Sequence, residues 1–159
     1  IHAGGKLAGG VQNRGRLRPG HSPGILDVEG DYEQLSGGAL QIELSGSDNS
    51  DPENVQFDQV IITEQAVLAG ALEIVLLDGY VPQSDQFGVF PTFEILNYDS
   101  YVGEFDTISG LNIGNGFGFV VTYQSDSIIL SVEPIPEPAS ILLTGCGALV
   151  VLRRRKRSR

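Results

Sequence analysis

The sequence predicts an all-β chain that ends in a single membrane-inserted helix, and three observations carry that expectation. Apolar and polar residues alternate in short runs, as where Leu40, Ile42 and Leu44 flank Gln41 and Glu43, which gives a strand one apolar and one wet face. Turn chemistry separates the runs: Gly37-Gly38, Ser45-Gly46-Ser47, Asp78-Gly79, Gly114-Asn115-Gly116 and Ser125-Asp126. Helical periodicity is absent until Ala139, where an apolar stretch begins and leads into a basic end.

Taken in order, the strand-like runs are residues 25–28, 40–44, 56–63, 71–77, 92–96, 117–123 and 127–133. Glycine contributes 21 of 159 residues, about twice the ordinary share, as expected where many tight turns connect short strands. A plain jelly roll or sandwich is the simpler alternative for the same pattern.

The C-terminal end has three parts. Pro136-Glu137-Pro138 is a rigid acidic punctuation. Residues 139–152 are apolar or small, with Ala139, Ile141, Leu142, Leu143, Leu149, Val150, Val151 and Leu152 supplying the hydrophobic surface. Arg153, Arg154, Arg155, Lys156, Arg157 and Arg159 form the basic end. Such cations resist crossing a bilayer and stay on the cytoplasmic side, so everything upstream is expected outside the cytoplasm. As a helix the run is about 21 Å long at ~1.5 Å per residue, short against a hydrocarbon core of ~30 Å. Snorkelling arginines lengthen it, and Gly145 and Gly147 favour close packing of helices in lipid.

These three elements in this order resemble the PEP-CTERM sorting signal of Gram-negative and related bacteria. Ser140, Leu142, Leu143, Gly145 and Gly147 stand where that pattern commonly has a small polar residue, leucines and glycines. The resemblance implies export through the general secretion route and anchoring in inner-membrane lipid. It also implies recognition near Pro136, Glu137 and Pro138 by an exosortase-type membrane peptidase, then delivery to the cell surface or extracellular matrix. On that reading the motif is a substrate, and the chemistry lies in the partner.

Charge is divided along the same boundary. Of ten Lys and Arg, Lys6, Arg14, Arg16 and Arg18 lie near the start and the other six follow Leu152. All 20 Asp and Glu fall between Pro19 and Leu152, where no Lys or Arg occurs, and the net charge is −10. So acidic a region repels nucleic acid, which is not expected as a partner. The chain contains no Met and opens without the charged and apolar regions of an export signal, so it reads as the C-terminal part of a longer exported product. The single Cys146 sits inside the apolar run as a small filler and excludes an intrachain disulfide.

A second resemblance lies upstream. Gly15-Arg16-Leu17-Arg18-Pro19-Gly20-His21-Ser22-Pro23-Gly24-Ile25-Leu26 is similar to the G-x-L-x-P-G-x-S-P-G-x-L segment of autotransporter-type passenger domains. Gly37-Gly38-Ala39-Leu40-Gln41-Ile42-Glu43-Leu44, Phe57-Asp58-Gln59-Val60 and Leu68-Ala69-Gly70-Ala71-Leu72-Glu73-Ile74 match later parts of the pattern. The resemblance implies a few coils of a right-handed parallel β-helix at residues 1–55 and a sandwich-like β cap at 56–133, before the sorting signal at 134–159. Pro19-Gly20 and Pro23-Gly24 each predict a type II corner with the glycine at positive φ. Leu17, Leu26 and Val28 are expected inside the stack, with Arg16, Arg18, Asp27 and Glu29 in water.

Candidate chemistry is sparse, and no catalytic residue is assigned. His2 and His21 are unpaired in sequence, Gly20-His21-Ser22-Pro23-Gly24 has the G-x-S-x-G spacing but lies in the Pro-Gly corner without the following helix that a nucleophile elbow needs, and closely spaced acids such as Glu104 and Asp106 read as a solvated face. Asp48, Asp51 and Glu53 are hard oxygen ligands on one short loop, the type that Ca²⁺ selects, although a solvated acidic loop is the simpler reading. The expected function is an exported structural or adhesin-like surface protein. One alternative is the end of a secreted polysaccharide-acting enzyme whose catalytic coils lie upstream. A small carbohydrate-binding module is another, with Tyr80, Phe87, Phe90, Phe93, Tyr98 and Tyr101 as a sugar-stacking patch for extracellular polysaccharide, or more simply as core.

Overall fold

A computed structural model describes residues 2–3 and 5–136. They form 16 strands and no helix, in three sheets. The membrane helix expected at 139–152 and the basic end lie outside the described residues. Within those residues no helix is long and apolar enough to cross a membrane.

Each turn of the chain supplies one strand to each sheet. The first coil is β1 (His2–Ala3), β2 (Gly5–Ala8) and β3 (Val11–Asn13). The second is β4 (Arg16–Pro19), β5 (Ile25–Glu29) and β6 (Tyr32–Gln34), and the third is β7 (Ala39–Leu44), β8 (Gln59–Ile62) and β9 (Gln65–Leu68). The fourth is β10 (Ala71–Leu76), β11 (Thr92–Asn97) and β12 (Ser100–Gly103), after which β13 (Thr107–Ser109) starts a fifth turn. Every pairing between coils is parallel.

Side chains of one kind therefore stack in register. Leu17, Leu40, Leu72 and Ile108 form one ladder, and Leu26, Val60 and Leu96 form another. All but the terminal Ile108 are buried, each contributing roughly 1.5–3 kcal/mol by leaving water. No single coil could bury these faces alone, so stability comes from neighbours. Leu17, Leu26 and Val28 point inward as expected, and Arg16, Asp27 and Glu29 are exposed. Arg18 differs: it is half-buried, with its Nε donating to Gln41 Oε1 at 3.1 Å.

The parallel ladders do not stop at residue 55, where the sequence pattern puts the end of the coils. Apart from a single bridge between Leu44 and Phe57 across one loop, antiparallel pairing begins with β14 (Asn112–Gly114), β15 (Phe117–Tyr123) and β16 (Ser127–Pro134). The spacing hid this because two loops enter at the same corner, between β7 and β8 and between β10 and β11. The three final strands extend the β2-β5-β8-β11 sheet, with β16 against β11. Their inner face closes the stack with aromatic rings. Phe93 meets Phe57 and Phe119 edge-on at 5.5 and 5.8 Å, and Tyr123 stacks on Tyr101 at 6.0 Å.

One further corner is buried and polar. Gln34 donates to the carbonyls of Ala69 and Ala71 at 2.8 and 2.9 Å and accepts from Tyr32 Oη at 2.7 Å. Asn13, its register partner one coil earlier, donates to Gln34 Oε1 at 3.2 Å and to the Ala39 carbonyl at 3.0 Å. Parallel coils leave backbone carbonyls unpaired where the chain turns, and these two amides satisfy them.

Candidate functional site

Three places hold the residues that the sequence singles out: the Pro-Gly corner, the acidic loop and the point where the chain leaves the cap. At the first, Gly20 has φ of +62°, as a type II corner requires. The second corner differs from expectation. Gly24 is not at positive φ; Ser22 is, at +70°. Gly24 is needed for space, since a Cβ there would lie 2.4 Å from the Gly20 Cα.

Beneath this corner Glu43 and Gln41 alternate with the inward leucines and so face outward, yet both are buried. Gln41 Nε2 donates to Glu43 Oε1 at 2.8 Å, and Ser22 Oγ donates to Glu43 Oε2. Asp58, fully buried, accepts from the backbone N–H groups of Gly24 at 2.7 Å and Glu43 at 2.9 Å. Burial raises the Asp58 carboxyl to about 7, against the two N–H donors and nearby Arg18, which favour its charged form. A carboxyl with both oxygens committed to backbone donors is a clamp between coils. Sequence reasoning saw Asp58 and Glu43 only as parts of strands. The signal was two acids at positions that alternation and chain entry place against apolar strands.

In the second place, Asp48 Oδ1 accepts from Ser50 N–H at 2.8 Å and Asp51 Oδ1 from Glu53 N–H at 3.0 Å. Asn49 holds the loop base, accepting from the N–H groups of Gln56 and Phe57 and donating to the Phe57 carbonyl at 2.8 Å. Asp48, Asp51 and Glu53 are all exposed. Among the described residues no three His, Cys, Asp or Glu side chains gather as a metal-holding group. His21 is exposed on the corner loop.

The aromatic stretch does not make one platform. Phe93 and Tyr98 are buried, Tyr80, Phe90 and Tyr101 pack half-buried against the core, and Phe87 is 80% exposed.

At the exit, β16 ends at Pro134, and Ile135 N–H donates to the Gly116 carbonyl at 2.7 Å, fixing the chain to the β14–β15 turn. Pro136, first residue of the Pro-Glu-Pro motif, is exposed immediately beyond. Glu137, Pro138 and the residues after them lie outside the described residues. The outer face of the cap here carries a groove of about 460 Å³ walled by Leu111, Val120, Glu133, Ile135 and Pro136. Its floor is Gly118, where a Cβ would lie 2.9 Å from both Ile135 Cδ1 and the Leu111 carbonyl oxygen. The chain matches no family model and no curated protein.

Proposed function

We propose that this chain is an exported, non-catalytic structural or adhesin-like protein, held in the inner membrane by its C-terminal end and trimmed there by an exosortase-type peptidase. The observation that carries the reading is the division of charge around residues 139–152: six Lys and Arg after Leu152, none between Pro19 and Leu152, and all 20 acids on the upstream side. Lys and Arg beside an apolar segment favour its cytoplasmic side, and this supports the reading with the basic end inside and the acidic domain outside. An acidic stack of parallel coils that exposes Pro136 at its exit suits such a display.

The right-handed winding implied by the passenger resemblance belongs to the same reading, as parallel crossovers take that hand almost without exception. So do the membrane helix at 139–152 and final residence at the cell surface or in matrix. The test is fractionation of cells making the chain, with mass spectrometry of its C-terminal peptide. Membrane association followed by loss of the residues after Pro136 or Glu137 is expected. A cytosolic species with Arg159 intact overturns the proposal.

A further inference from the structure

We infer that the groove on the outer face of the cap is a docking surface for the membrane peptidase that cuts near Pro136-Glu137-Pro138, so that the folded domain and not the linear motif alone is recognised. The inference rests on the processing reading above and deepens it.

Three observations place that partner there. The groove and the motif are continuous, because Pro136 is both a wall of the groove and the first motif residue. The exit is tied to the cap: Ile135 N–H is bonded to the Gly116 carbonyl and its side chain lies over the Gly118 floor, so Pro136 leaves the cap in the same groove wall as Leu111 and Val120. A protein gripping Pro136 from outside must come against these walls. The walls are mainly apolar, and Val120 and Ile135 remain 40% and 43% exposed, so a partner seated here would take apolar surface out of water.

Charge states the partner's chemistry. Glu133 borders the groove, and the sequence holds no Lys or Arg from Pro19 to Leu152. The complementary surface is therefore an apolar side chain flanked by Lys or Arg, drawn in by the acidic domain and seated by apolar contact. Such an exosite raises the local concentration of the motif at the peptidase without altering the cut.

The test follows trimming over time in cells that hold the peptidase, using the full chain and mass spectrometry of its C-terminus. The variants are Val120→Lys, Ile135→Asn and Glu133→Lys. All three positions are exposed, and unchanged thermal unfolding checks that each variant folds. A slowing of about tenfold is expected for the two apolar replacements, the usual effect of removing an interface anchor, with equal delivery to the membrane. Residues 134–159 fused to an unrelated carrier are expected to be trimmed as slowly as the variants. If the wild type is trimmed and all three variants match its rate, the docking inference falls while the processing reading stands. A groove whose variants dissolve a concentration-dependent dimer without changing trimming is a contact between copies, and the inference falls likewise. A wild type that keeps Arg159 overturns both.

Discussion

Asp58, one residue before the third-coil strand β8, accepts a hydrogen bond from the backbone N–H of Gly24 in the coil below, at 2.7 Å. Its other oxygen accepts from Glu43 N–H at 2.9 Å. One buried side chain thus ties together the Pro-Gly corner, β7 and the entry to β8. The same device recurs nearer the cap, where Asp106 Oδ2 accepts from Gly70 N–H at 2.7 Å. Acidic residues in this chain do more than repel; some of them stitch successive coils.

Replacing Asp58 tests the clamp. Asp58→Asn turns one acceptor into a donor that faces a backbone N–H, and a loss of roughly 1–3 kcal/mol is expected. Asp58→Ala bares both donors and is expected to cost more. Denaturant unfolding of the chain measures both, and stability equal to wild type for Asp58→Ala refutes the clamp.

The same residue sets a dependence on pH. Its folded carboxyl is raised to about 7 from an ordinary 3.8, chiefly by burial. Between those values the unfolded chain has released the proton and the folded chain retains it, so stability falls as pH rises through the window. Above about 7 both states are ionised and this contribution is flat. Unfolding midpoints at pH 5 and pH 8 are expected to favour pH 5, with a smaller difference in Asp58→Asn. An equal difference in the variant assigns the effect to other carboxylates.

Gln34 carries a second prediction. Its amide serves two carbonyls and accepts from Tyr32 and Asn13. Gln34→Leu keeps volume but strands those groups, and about 2–4 kcal/mol is expected to be lost. Gln34→Glu sets a carboxylate against the carbonyls of Ala69 and Ala71 and is expected to be worse at neutral pH than at acid pH. Thermal melts at pH 5 and pH 7.5 compare them.

Long strands were readable in the sequence because alternation had room to show: residues 117–123 match β15, and 127–133 fall one short of β16. The three-residue β6 and the four-residue β9 and β12 were not readable, since so few positions cannot display a period. Extension of the coils past residue 55 was hidden for a different reason. The Gly-x-Leu starts at Gly15, Gly38 and Gly70 are real repeats, but unequal loops after β7 and β10 spoil their spacing. Of the candidate sites, the terminal motif is proposed from the sequence alone because it is linear, and Glu137 and Pro138 lie outside the described residues. The groove beside it was not legible, because its walls come from separate stretches on either side of Gly118 that only antiparallel pairing brings together.

The aromatic closure of the stack gives the last prediction. Tyr123 stacks on Tyr101 at 6.0 Å, lies 6.4 Å from the Phe105 ring, and its Oη accepts from Phe105 N–H at 3.2 Å. Tyr123→Ala removes all three contacts, and about 2–3 kcal/mol is expected to be lost, less than for a fully buried ring because Tyr123 is half-exposed. Coils contact mainly their neighbours, so the damage is expected to stay local. Hydrogen exchange read peptide by peptide distinguishes the outcomes: β14, β15, β16 and β12 lose protection while β4 to β8 keep theirs. Uniform loss across every coil would show instead that cap and coils open as one cooperative unit.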